Sequence, residues 1–140
     1  MSKTKLNVLL TRPQKKSEVL AKKLAPYVSS VTCQPLFDFI EGQDLNNLEQ
    51  KVTRFAPDIA IFISEASVKF TLANNAITHL LSGCQIFAIG NATANALNQA
   101  NITDVLVAEP ATSEGLLLSP ILKQVTQKRV MIFRGNGGRE

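Results

Sequence analysis

An α/β fold, with a parallel sheet flanked by helices, is what the sequence predicts, and three observations predict it. Short β-branched runs alternate with helical patterns along all 140 residues. Two of these runs, residues 58–63 after the opening Asp58 and residues 86–89, are continuously apolar, as strands covered on both faces are. The composition is 45% hydrophobic and 19% charged, which excludes disorder, and a chain of this length can bury a real core. By length alone it is one domain.

Leu6-Asn7-Val8-Leu9-Leu10 reads as the first strand, ended by Thr11-Arg12-Pro13. Val19, Leu20, Ala21 and Leu24 then give one apolar face to a helix over residues 14–25, and Pro26 stops it. Val31-Thr32-Cys33 is a second short strand, broken at Gln34-Pro35. After Pro35 the composition changes. Asp44 is placed to cap a helix in which Leu45, Leu48, Val52 and Phe55 recur at helical spacing up to Pro57.

The apolar strand at 58–63 follows, and then a helix from Ser64 to about Asn74 with Ala66, Phe70 and Ala73 on one side. Residues 86–89 form a strand leading through Gly90 into an alanine-rich helix that runs to Ala100. Val105-Leu106-Val107 is a strand, Ser113-Glu114 opens a short helix interrupted near Pro120, and residues 129–133 are the last strand. The layout is Rossmann/flavodoxin-like. A parallel strand normally leads into a crossover helix, and here the chain stops where that helix would begin, so it reads as the front part of a longer protein.

The net charge of +4 is unevenly placed. Residues 1–23 hold seven Lys/Arg against Glu18 alone, a balance of +6, whereas residues 24–140 hold eight basic and ten acidic groups, a balance of −2. A basic start suggests an anionic partner nearby, although a solvated lysine-rich helix face accounts for it equally simply. Nucleic acid is not indicated, because no aromatic residues interleave with the basic ones. No apolar run approaches the roughly 18 residues that span a bilayer, and the N-terminus lacks a signal-peptide core, so a cytoplasmic protein without membrane contact is expected. Cys33 and Cys84 have neither metal nor redox spacing and read as buried or half-buried thiols.

In an open parallel sheet, ligands sit beyond the carboxyl ends of the strands. There this chain places Thr11-Arg12, Ser64-Glu65-Ala66-Ser67, Gly90-Asn91-Ala92-Thr93 and Arg134-Gly135-Asn136-Gly137-Gly138-Arg139. Hydroxyls, backbone N–H groups and helix dipoles at such positions describe a rim suited to carboxylates or phosphates. Plain helix capping explains any one of them; their recurrence at several strand ends puts the rim on an equal footing with it. His79, the only histidine, reads as a surface or packing residue, which leaves no nucleophilic triad. Residues 135–140 fit neither the lysine-bearing phosphate loop nor the dinucleotide fingerprint. The acidic residues are scattered, with no pair set for metal or glycosidase chemistry.

Leu9-Leu10-Thr11-Arg12-Pro13 resembles the opening of bacterial uroporphyrinogen-III synthases, and Ile61-Phe62-Ile63-Ser64 with Ala66-Ser67-Val68 is similar in the same way. Ala88-Ile89-Gly90 with Thr93-Ala94 and Ala96-Leu97, then Thr112-Ser113-Glu114-Gly115-Leu116-Leu117, then residues 133–140, continue the resemblance in the family's order. It implies a hydro-lyase of heme, siroheme and cobalamin synthesis. Such an enzyme closes the linear tetrapyrrole hydroxymethylbilane into uroporphyrinogen III, inverting the last pyrrole ring and losing water. No metal or organic cofactor is implied, and catalysis would run through an azafulvene cation and a spiro intermediate, largely by holding a folded substrate.

The resemblance also implies a two-domain architecture whose first domain is discontinuous, with the substrate in the cleft. Residues 1–35 would be the N-terminal fragment of that first, incomplete domain plus a linker strand, and 36–140 most of the inserted second domain. Thr11, Arg12, Ser64, Thr93 and Arg139 fall at the substrate-binding positions. The tyrosine proposed as proton donor in the family would lie beyond residue 140, and Tyr27 is no substitute for it. The isolated 1–140 chain is therefore expected to be inactive. Transient contact with the enzyme that supplies the substrate is a further implication. One departure is Glu65-Ala66, where some relatives carry a basic residue. The competing reading is a non-catalytic α/β module that binds the anionic part of a sugar phosphate or nucleotide.

Overall fold

The computed structural model describes residues 4–135. The chain divides into two compact units between residues 40 and 41, five residues later than the sequence boundary. In the first unit, β1 (Thr4–Leu10) pairs in parallel with β2 (Val28–Cys33), and α1 (Gln14–Leu24) connects them. The pairing continues past the strands: Gln34 N–H donates to the Leu10 carbonyl at 2.8 Å and Leu36 N–H to the Thr11 carbonyl at 3.2 Å. Leu10 and Val28 are buried in this unit, whereas Leu6 and Leu9 are each 61% exposed. Two strands and one helix leave much of their apolar surface uncovered, which is why a sheet of this size is marginal by itself.

The second unit opens with a 3-10 turn (Gln43–Asn47) and α2 (Leu48–Phe55). Asp44 does not cap the helix, as the spacing suggested. The turn takes up its position, and its carboxylate instead accepts from Lys51 Nζ at 2.6 Å. Then come β3 (Ile59–Phe62), α3 (Glu65–Thr71), α4 (Asn75–Leu80), β4 (Gln85–Ala88), α5 (Asn91–Gln99), β5 (Val105–Val107), α6 (Ser113–Leu118) and β6 (Val130–Phe133). The helix expected from Ser64 to about Asn74 is α3, which ends at Thr71; beyond it Asn74 accepts Ala76 N–H on its side chain and starts α4.

The four strands lie in the order β5-β4-β3-β6, and every pair is parallel. The sheet therefore has one carboxyl edge. Steps from β3 to β4 to β5 run one way and carry their helices on one face, where Val68, Ile77, Leu81, Ala94 and Leu97 pack on Ala60, Phe62, Ile86, Ala88 and Phe133. The return from β5 to β6 runs the other way and puts α6 on the opposite face, where Leu116 packs near Ile59, Ile61 and Phe87. Crossovers of one hand require that exchange of faces. Phe62 and Phe133, opposite each other in the register, stack with ring centroids 4.6 Å apart and planes 9° apart.

The amino edge of the sheet is held by one ion pair. Asp58 Oδ2 accepts from Arg129 N–H at 2.8 Å and Arg129 Nε at 3.2 Å, while Asp58 N–H donates to the Arg129 carbonyl at 2.9 Å. Hydrogen bonds from the Arg129 side chain and backbone hold the Asp58 carboxyl below its ordinary range, against a smaller opposing effect of burial. A carboxyl depressed in the folded state gives stability that is fully present above the unfolded-state pKa and is lost as the pH falls through the folded one. Urea unfolding from neutral to strongly acidic pH should therefore show an acid-side loss that Asp58→Asn reduces. An identical slope in the variant would remove this pair from the acid response. Beside it, the half-buried Cys84 thiol donates to the Pro57 carbonyl at 2.9 Å, and burial, then the Asp58 charge, push its pKa up.

Candidate functional site

The carboxyl edge of the four-stranded sheet collects Gly90-Asn91, Ser64 and Arg134, which sequence reasoning placed on the rim, and adds the loop after β5, which it did not. In spatial order they are the loop after β5 (residues 108–112), Gly90-Asn91 after β4, Ser64 after β3 and Arg134 after β6. Neighbouring strands are about 4.8 Å apart, so these starts span roughly 15 Å. The ladder reaches the edge itself. Ile89 N–H donates to the Phe62 carbonyl at 3.0 Å, and Ala108 N–H to the Ala88 carbonyl at 2.9 Å.

Ser64 is half-buried and caps α3. Its Oγ accepts Ser67 N–H at 3.0 Å, and Ser67 Oγ accepts Ser64 N–H at 3.2 Å while donating to the Ser64 carbonyl at 2.7 Å. This reciprocal cap fixes the turn and leaves the Ser64 hydroxyl proton as the group a ligand could take. Thr93 was expected on the rim as well. In the structure Thr93 is 3% exposed, on the core side of α5 with Ala94 and Leu97. What the start of α5 presents outward is Asn91 and the backbone, because Gly90 supplies no capping side chain.

In the first unit, Thr11 and Arg12 end β1, with Thr11 half-buried and Arg12 exposed. Ser17, which the sequence did not flag, is completely buried, and its Oγ donates to the Arg12 carbonyl at 2.8 Å, holding the turn that carries Arg12. A small polar residue one turn into an otherwise exposed helix start was the only signal for it. Arg139 lies outside the described residues. Arg134 is exposed at the end of β6, and Thr112 caps α6 by accepting Gly115 N–H at 3.1 Å.

Among the described residues, no group of three or more His, Cys, Asp or Glu side chains is placed to hold a metal ion, and no helix is long and apolar enough to cross a membrane. In the second unit the edge offers hydroxyls, amides and the Arg134 guanidinium in a row, which is chemistry for holding several anionic groups at once.

The family described as uroporphyrinogen-III synthase HemD matches residues 18–140. The chain belongs to the uroporphyrinogen-III synthase family. Uroporphyrinogen-III synthase of Salmonella typhimurium is 31% identical over 139 residues, covering 96% of this chain and 56% of that protein. The Proteus mirabilis enzyme of the same name is 30% identical over 141 residues, covering 96% of this chain and 70% of its own length. A crystal structure of uroporphyrinogen III synthase from Thermus thermophilus aligns with a TM-score of 0.49 and 16% identity, over 91% of this chain and 60% of that one. The chain thus spans little more than half the length of the Salmonella synthase. The motif positions of the uroporphyrinogen-III synthase resemblance, Ser64, Gly90 and Thr112 to Gly115, are those that the second unit brings to one edge.

Proposed function

We propose that this chain forms the front part of a uroporphyrinogen-III synthase, which closes hydroxymethylbilane to uroporphyrinogen III with loss of water and inversion of the last ring. The family match over residues 18–140 carries this reading. The substrate's acetate and propionate groups suit a rim of distributed donors, each worth about 0.3–1 kcal/mol at a helix start. In this reading Thr11, Arg12, Ser64 and Arg139 contact the substrate. Thr93 contributes through the start of α5 that it packs beneath, and positioning supplies the rate. The first unit is the N-terminal fragment of a discontinuous domain, in keeping with its exposed Leu6 and Leu9. The reaction runs in the cytoplasm, with transient contact to the enzyme that makes the substrate.

The test is a chimera in which this chain replaces the matching segment of the Salmonella enzyme, assayed for uroporphyrinogen III from hydroxymethylbilane. The chimera should form the inverted isomer well above the spontaneous background, which gives the uninverted one, while residues 1–140 alone should not. A folded chimera that yields only the uninverted isomer would reject the synthase reading.

A further inference from the structure

Two glycines on the carboxyl edge have a spatial reason that capping does not supply. A Cβ on Gly115 would lie 1.8 Å from the Pro110 carbonyl oxygen and 2.8 Å from its carbon, both backbone atoms that no rotamer can move. That carbonyl is itself held, accepting Thr112 N–H at 2.7 Å, and Thr112 in turn accepts Gly115 N–H. A Cβ on Gly90 would lie 3.1 Å from the Cβ of Ala111. Gly90 has φ −174°, extended backbone open to any residue, so it is the tight space and not the backbone that favours glycine there.

The loop after β5 is therefore fixed from two sides. Gly115 lets it settle onto α6, and Gly90 lets it close against the start of α5. Ala111 has no side-chain torsion with which to yield, and the loop cannot recede because Pro110 already rests on Gly115. Any added atom at Gly90 must be absorbed by moving the backbone of the rim.

We infer that Gly90 and Gly115 are positioning residues: they join the loop after β5 to the start of α5 as one rigid stretch of rim, whose spacing sets how the tetrapyrrole's carboxylates are held and hence which ring-closure isomer forms. This rests on the synthase reading above. Gly115→Ala endangers the fold, so the decisive change is Gly90→Ala, where the shift required is a few tenths of an ångström. In the chimera, Gly90→Ala should raise KM for hydroxymethylbilane about fivefold with kcat within roughly twofold, and should increase the share of uninverted product. The added Ala111→Gly substitution removes the opposing Cβ and should restore both values. Loss of a helix cap would not be rescued in this way.

Thermal unfolding of the 140-residue chain should show Gly90→Ala still folded. An active chimera whose KM and isomer ratio ignore Gly90→Ala, or whose defect persists with Ala111→Gly, would overturn the inference and leave the synthase reading standing. A folded parent chimera that yields only the uninverted isomer would overturn both.

Discussion

Gly115→Ala should unfold the second unit at a temperature about 10–20 °C lower than the parent chain. In an exposed helix the same exchange stabilises by roughly 0.5–1 kcal/mol, because glycine loses more backbone freedom on folding. Here the new methyl would sit 1.8 Å from the Pro110 oxygen, so either the loop or α6 must leave its place. Leu116, next in sequence and 7% exposed, anchors α6 to the sheet and resists that movement. Overpacking of this kind costs about 1–3 kcal/mol, and a backbone obstacle puts Gly115 at the upper end. Circular dichroism melting reads the shift; an unchanged midpoint would show that the loop swings aside freely and would remove the clamp.

Phe62→Ala should cost about 3–5 kcal/mol, the range for emptying a large buried aromatic site. Phe62 is completely buried, centres the larger core cluster, and stacks on Phe133 across the β3–β6 pair. Removing it opens a cavity in that cluster, and ends the ring contact that helps hold β6 at the sheet edge. In urea the midpoint should fall with little change in slope, and Phe62→Leu should lose much less. If Phe62→Ala and Phe133→Ala each cost nothing measurable, the two-faced parallel sheet described for this unit is wrong.

The strands were legible because both-face burial leaves an apolar signature: Ile59, Ala60, Ile61 and Phe62 are all buried, as are Ile86, Phe87 and Ala88. The edge strand β5 was readable from three β-branched or aliphatic residues between polar ones. Helix boundaries were less legible. The start of α4 at Asn75 turns on one side-chain bond within two residues, which the apolar pattern does not reveal. The burial of Thr93 had a signal: it lies four residues before the fully buried Leu97, on the same helix face. Nothing local announced the need for Gly115, because the atom that excludes a side chain there belongs to a loop whose path only the fold defines. The rim could be read as a set of strand ends; which of its side chains face outward could not.

The pairing of β3 with β6 also governs how the protein is made. Asp58 and Arg129, which close that pairing at the amino edge, are 71 residues apart in the chain. Between them β4 and β5 are synthesised and can add to one side of β3, while its other side waits. Through that interval an all-apolar strand presents an open edge, the condition under which nascent chains pair with one another. The closing step must also recruit a distant segment across most of the unit, which slows it. Translation speed through residues 58–133, and whatever shields an unfinished sheet in the cell, therefore bear on the yield of this protein alongside its final stability.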